Sequence, residues 1–210
     1  MTGMLKRRQV LQAGAAVLTA VSCHSTPARE TPPGAAIGES MLDTNYAPTG
    51  TGVVTGKGVG DFDFLAGNWH IRHKRLKDGT DDEWLRFDSR ATVHRVLDGM
   101  GSIEELRKAN GGFMGMGVRV WRPELKKWAD HWTSANNGVV NAPQFGSFID
   151  GDGVFISETD VDGVKWQYRG VWDQISSDNC RWHQSASNDG GKSWEWNWWM
   201  EWTRQSASGA

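Results

Sequence analysis

Ser193-Trp194-Glu195-Trp196-Asn197-Trp198-Trp199-Met200-Glu201-Trp202-Thr203-Arg204 is the stretch that decides the fold. From Trp194 to Arg204 every second position is Trp, Met or Arg, with Glu195, Asn197, Glu201 and Thr203 among those between. Period-two alternation marks a strand with one buried face. The chain holds thirteen tryptophans, all after residue 60, and six of them fall in Trp182–Trp202. So much aromatic surface exceeds what a thin sandwich core needs. It points to a barrel interior lined with indoles and to an apolar or aromatic ligand. With the even-numbered face inward, Trp194, Trp196, Trp198 and Trp202 are the expected lining, and Trp199 lies on the other face.

The same period recurs upstream, predicting strands at roughly 68–77, 83–96, 102–109, 113–122, 127–135, 138–149, 153–160, 163–174, 179–187 and 193–204. Asp98-Gly99, Asn110-Gly111, Asn137-Gly138, Asp150-Gly151, Asp162-Gly163 and Asp189-Gly190 separate several of them. Such pairs supply the positive φ that tight hairpins require. No window keeps a helical period. Short hairpins between consecutive strands make a meander, so the expected fold is all-β, an antiparallel up-and-down barrel of about 8–10 strands with room for one small ligand.

The chain opens with Lys6-Arg7-Arg8, followed by the mildly apolar run Ala13–Val21. A charged start, a short apolar run and small residues beyond it make an export signal, too short for the roughly 20 residues that span a bilayer. The Arg7-Arg8 pair with Val10-Leu11 resembles a twin-arginine signal, which exports folded proteins. Leu18–Cys23 looks like a lipoprotein processing box, with Cys23 as the lipidated residue. The expected organisation is a signal over 1–22, a disordered tether over 23–60, a barrel domain over 61–205 and a tail over 206–210. Four of the six prolines fall in the tether, which cannot bury enough apolar surface to fold alone. The expected location is the periplasm, with the membrane reached through the lipid anchor alone.

Cys23 and Cys180 are the two cysteines. Lipidating the first leaves the second without a partner, so the core must hold the domain. The net charge of −2 becomes more negative once Lys6, Arg7 and Arg8 leave with the signal, and no basic run follows. Nucleic acid is not expected as a partner.

Phe62-Asp63-Phe64-Leu65-Ala66-Gly67-Asn68-Trp69, with Ser187-Asn188-Asp189-Gly190-Gly191-Lys192-Ser193-Trp194 and the terminal Trp202-Thr203-Arg204, resembles a poorly characterised bacterial secreted family. That family opens on Phe-Asp-Phe-Leu-x-Gly-x-Trp and is placed with the lipocalin-like calycin barrels; the likeness runs from Asp61 to Arg204. It implies that Trp69 sits at the closed end of the barrel with Arg204 across its ring, both structural, and that Phe62 or Phe64 plugs that end. The 187–194 segment also matches the Asp-box of sialidase-type propellers. A propeller repeats that hairpin in each blade, whereas here it occurs once.

Six histidines are present. If Trp69 points inward, Ile71, His73 and Arg75 share its face. Parity leaves the faces of His131 and His183 open. His70 and His73 fall on opposite sides of one strand, and no metal-ligand spacing occurs. Glu104-Glu105 sends one carboxylate to each face, and Arg119 and Arg169 lie mid-strand, so an interior Glu–Arg pair is a candidate holder for a polar ligand head. Gly115 and Gly117, if interior, open space beside them. No Gly-x-Ser-x-Gly elbow or phosphate-binding loop occurs, and no cofactor is expected.

Two readings follow. One is a binding module for a small hydrophobic or aromatic molecule, with Trp194, Trp196, Trp198, Trp202, Arg119 and Arg169 as its contacts. The alternative is a small-molecule lyase, isomerase or hydratase using an interior His with a carboxylate, for instance His131 or His183 with Glu105. Fold alone does not choose between them.

Overall fold

The computed structural model describes residues 54–205; the signal, Cys23, most of the tether and the tail lie outside the described residues. Ten strands follow in chain order: β1 Gly67–Leu76, β2 Trp84–Val96, β3 Gly101–Lys108, β4 Phe113–Arg122, β5 Lys127–Ser134, β6 Gln144–Ile149, β7 Asp152–Val161, β8 Val164–Asp173, β9 Asn179–Ser187 and β10 Glu195–Arg204. Each pairs antiparallel with its neighbours, and β1 closes on β10. The fold is all-β, an up-and-down barrel of ten antiparallel strands.

Local chemistry explains the hairpins. Asp150-Gly151 and Asp162-Gly163 carry φ values of 53° and 93°, and of 52° and 78°, the paired positive φ of two-residue loops whose twist matches the strands they join. In the β9–β10 loop Asp189 accepts from the Lys192 and Ser193 amides at 2.9 and 3.0 Å. The hydroxyl of Ser193 and these amides hold its carboxyl well below the usual range. The aspartate of this hairpin thus serves its own turn.

β6 starts at Gln144, not near 138 as alternation predicts. Asn136-Asn137-Gly138 makes a turn in which the Gly138 amide donates to Ser134 O at 2.9 Å, and Pro143 has no amide to donate to a ladder. β5 and β6 consequently share only Trp128↔Gly146, Ala129↔Phe145 and Asp130↔Gln144, the shortest ladder of the ring.

One end of the barrel is solid. Phe62 and Phe64 enter on a single 3-10 turn, Asp63–Leu65, and the Phe62 ring meets Trp128 and Phe148 edge-on at 4.9 Å each. The Arg204 guanidinium lies 4.2 Å from the Trp69 ring centre and donates to the carbonyls of Ala66 and Phe64 at 2.6 and 2.7 Å. The Trp69 indole donates to Leu65 O at 2.7 Å. One cation therefore both covers the ring and satisfies the incoming backbone. Removing a ring buried like Trp69 costs ~3–5 kcal/mol.

The packed unit begins before residue 61, where the sequence reading ends its tether. Asp61 accepts from the amides of Thr55, Gly56 and Gly58 at 3.0, 2.9 and 2.7 Å. At Gly58, with φ of +100°, an added Cβ would stand 2.3 Å from the Trp121 ring, so only glycine fits.

The last strand departs from strict alternation. Trp198 stands opposite Gln184, yet Trp196 stands opposite Ser185, with Asn197 the extra residue between. This β-bulge reverses the face of what precedes it. Trp198, Met200 and Trp202 point inward; Trp196 points out.

Candidate functional site

Along the axis the interior changes character. In the closed half, Trp69, Trp128, Trp172 and Trp202 are almost wholly buried. Pairing carries the inward parity towards the other end, through Phe87, Trp132, Trp182 and Trp198. These rings point into the barrel and yet remain partly exposed.

Between the two zones lies a buried ionic cluster. Arg119 donates to Glu104, and its Nε stands 3.4 Å from Asp130 Oδ1, an ion-pair distance without hydrogen-bond alignment. Burial opposes the charge of Arg119, but Asp130 and Glu104 together raise its pKa. Desolvation raises the pKa of Asp130 against the pull of Arg119. The guanidinium also lies 5.2 Å from the Phe62 ring and 5.4 Å from the Trp172 ring. Arg119 Nη1, Ser102 Oγ and the indole nitrogens of Trp128, Trp172 and Trp202 are buried without partners.

Nearer the open end, His73 is 3% exposed. Its Nδ1 accepts from the Trp198 indole at 3.1 Å, so Nε2 carries the proton and donates to Ser89 Oγ at 2.6 Å. Phe87 stacks on it at 4.4 Å and 11°. Burial lowers its pKa to about 4, leaving it neutral and fully engaged at pH 7.

The other candidates lie elsewhere. Glu104, not Glu105, is the inward carboxylate: Glu105 stands opposite Thr92 and Met116 on the outer face and pairs with Arg107. His131 stands opposite Val118, also outside, with Nδ1 3.1 Å from Asn141 O. The His–carboxylate pairs considered from the sequence therefore do not meet inside the barrel. Gly115 and Gly117 do face inward, but they leave no void. A Cβ at Gly115 would meet the Trp132 ring at 2.4 Å, and one at Gly117 would meet Arg119 at 3.2 Å.

Arg169 and His183, opposite Ile156 and Val171, face outward as well. The bulge at Asn197 brings Trp196 to them, and Trp194 follows. The structure thus collects Arg169, His183, Trp194 and Trp196 at one place, on the outer wall. His183 bonds Asp173 at 3.0 Å, and burial keeps its pKa below the ordinary value despite that partner. A separate groove of about 650 Å³ crosses the outer face of β6 and β7, past Phe145, Val154 and Ile156. It holds none of the candidate residues.

Asp130, Ser89 and Phe87 escaped the sequence reading. The signal was present as parity: each stands opposite an inward residue, Arg119 for the first and Ile71 and His73 for the others.

No protein-family model and no curated protein matches the sequence. Among solved structures, the chain is similar to the S-type phycobiliprotein lyase CPES from Guillardia theta, with 13% identity and a TM-score of 0.45, over 70% of this chain and 91% of that one.

Proposed function

We propose that this protein binds a small hydrophobic or aromatic molecule in the open half of the barrel, and that it does so outside the cytoplasm as a lipid-anchored member of the secreted family its opening motif resembles. The observation that carries the reading is the gradient of burial along one inward face. Tryptophans at the closed end are almost wholly buried, while Trp132, Trp182 and Trp198 point the same way and keep part of their surface open. Flat, rigid rings of this kind offer stacking area at low entropic cost. Arg119, between the two zones, has a buried Nη1 without a partner, which favours a ligand that also carries a hydrogen-bond acceptor.

The enzyme alternative has less support. His131, His183 and Glu105 are on the outer face, and His73, the buried inward histidine, has both nitrogens engaged.

The test is mass spectrometry of retained small molecules in protein from its native host, joined to fluorescence titration with naphthalene and a polyene alcohol. Trp198→Ala is expected to weaken binding by about tenfold, the loss of one stacked ring. Trp199→Ala, on the opposite face, should change it little. Equal losses, or no quenching by any compound, would leave the tryptophans as core and nothing more.

A further inference from the structure

Four adjacent groups on the outer wall make an arrangement that the barrel's own packing does not require. The Arg169 guanidinium lies 4.2 Å from the Trp194 ring centre and 5.3 Å from that of Trp196. Its Nε donates to Ser185 Oγ at 3.3 Å. Among the described residues no carboxylate stands within ion-pair distance of it. Asp173, on the same face of β8, is occupied: Arg181 donates to it at 2.8 and 2.6 Å, and His183 bonds it at 3.0 Å.

The remaining members complete a shallow box. The His183 ring packs 4.4 Å from Trp196, and His183 Nδ1 is buried without a partner. Trp196 keeps 36% of its surface exposed. A cation held by ring faces, rather than by an acid, keeps its planar fork of donors available to a carboxylate. The exposed indole beside it offers a stacking face to a flat ring.

We propose that Arg169, Trp194, Trp196 and His183 form a binding site for a small aromatic carboxylate, with the carboxylate on the Arg169 fork and the ring against Trp196. Arg169 supplies the charge-assisted bonds, Ser185 fixes its Nε, and His183 with Asp173 props Trp196 from beneath. The site lies on the opposite side of the sheet from Trp198 and does not depend on a ligand in the barrel.

Benzoate and its neutral analogue benzyl alcohol, titrated calorimetrically into the barrel protein and followed by NMR of the indole N–H groups, test this. Benzoate should shift the Trp194 and Trp196 signals and bind at least about tenfold more tightly than benzyl alcohol, the effect of a charge-assisted pair. Arg169→Gln should remove that preference, Arg169→Lys should keep part of it, and Trp198→Ala should leave it unchanged. If Arg169→Gln perturbs the near-ultraviolet spectrum of the folded barrel, Trp196→Ala reads the same site and should weaken benzoate. The proposal is overturned if benzoate does not bind, if the two compounds bind alike, or if the shifts fall on Trp198 instead. A failure there leaves the barrel-ligand reading standing, because that reading rests on neutral probes and on Trp198.

Discussion

His73 shows how much one inward side chain is asked to do. It accepts a hydrogen bond from Trp198 at Nδ1, donates one to Ser89 from Nε2 and stacks on Phe87, and the bond from Trp198 requires the neutral ring. Its folded pKa of about 4 lies below the ordinary 6.5. The depressed value means that the folded state resists protonation more than the unfolded chain. The contribution is present above pH 6.5 and is lost as pH falls from 6.5 to about 4, by ~3 kcal/mol over the whole window. Asp130 works with the opposite sign: its raised pKa favours the folded state in acid and less so as pH rises through that value. Urea unfolding at pH 7 and pH 4 should therefore show a stability loss that His73→Gln reduces. A variant with the same acid loss as the parent would place the titration elsewhere.

At the scale of an element, β10 holds the main lesson. Asn197 is an inserted residue, 7% exposed, whose side chain accepts from Gln184 at 3.1 Å. Deleting it would leave Trp198 opposite Gln184 and Trp196 opposite Ser185 in an unbroken ladder, so both faces would be kept and the loss should be confined to the amide's hydrogen bond, about 1 kcal/mol. Asn197→Ala keeps the count of residues and should cost about 1 kcal/mol, the same hydrogen bond. Denaturant titration should show equal losses; a larger loss on deletion would mean that the insertion itself matters. The same residue explains what could be read in advance. Strand number, hairpin positions and the Trp69–Arg204 closure followed from alternation, Asp-Gly pairs and the opening and closing motifs. The faces of Trp194 and Trp196 did not, because a bulge leaves no mark in a pattern that stays regular across it. Glu105 and His131 went astray for a related reason: a side chain's face is set by the register of the partner strand.

Across the whole molecule, the described residues hold the barrel together without a covalent staple. Cys180 is a free, buried thiol whose pKa burial pushes up, so it is not a reactive thiolate. A domain of this kind can complete its fold in a reducing compartment, as the twin-arginine route demands. Changing both Arg7 and Arg8 to Lys should then hold precursor in the cytoplasm, and Cys23→Ser should move mature protein from the membrane fraction to the soluble periplasmic one. Cell fractionation with immunoblotting reads both. Undiminished export of the double-lysine form would assign the general secretory route, and a wild type that is already soluble would remove the lipid anchor.

The three-pair ladder between β5 and β6 has a consequence for the lifetime of the protein in a crowded compartment. A closed ring has no strand edges to offer a neighbour, but where it parts, two appear at once. This seam has the fewest paired residues of any two neighbouring strands, so brief openings concentrate there. Each opening exposes the bare edges of Trp128–Asp130 and Gln144–Gly146 together. Two copies that meet while the seam is parted find paired edges to join, which the closed ring denies them.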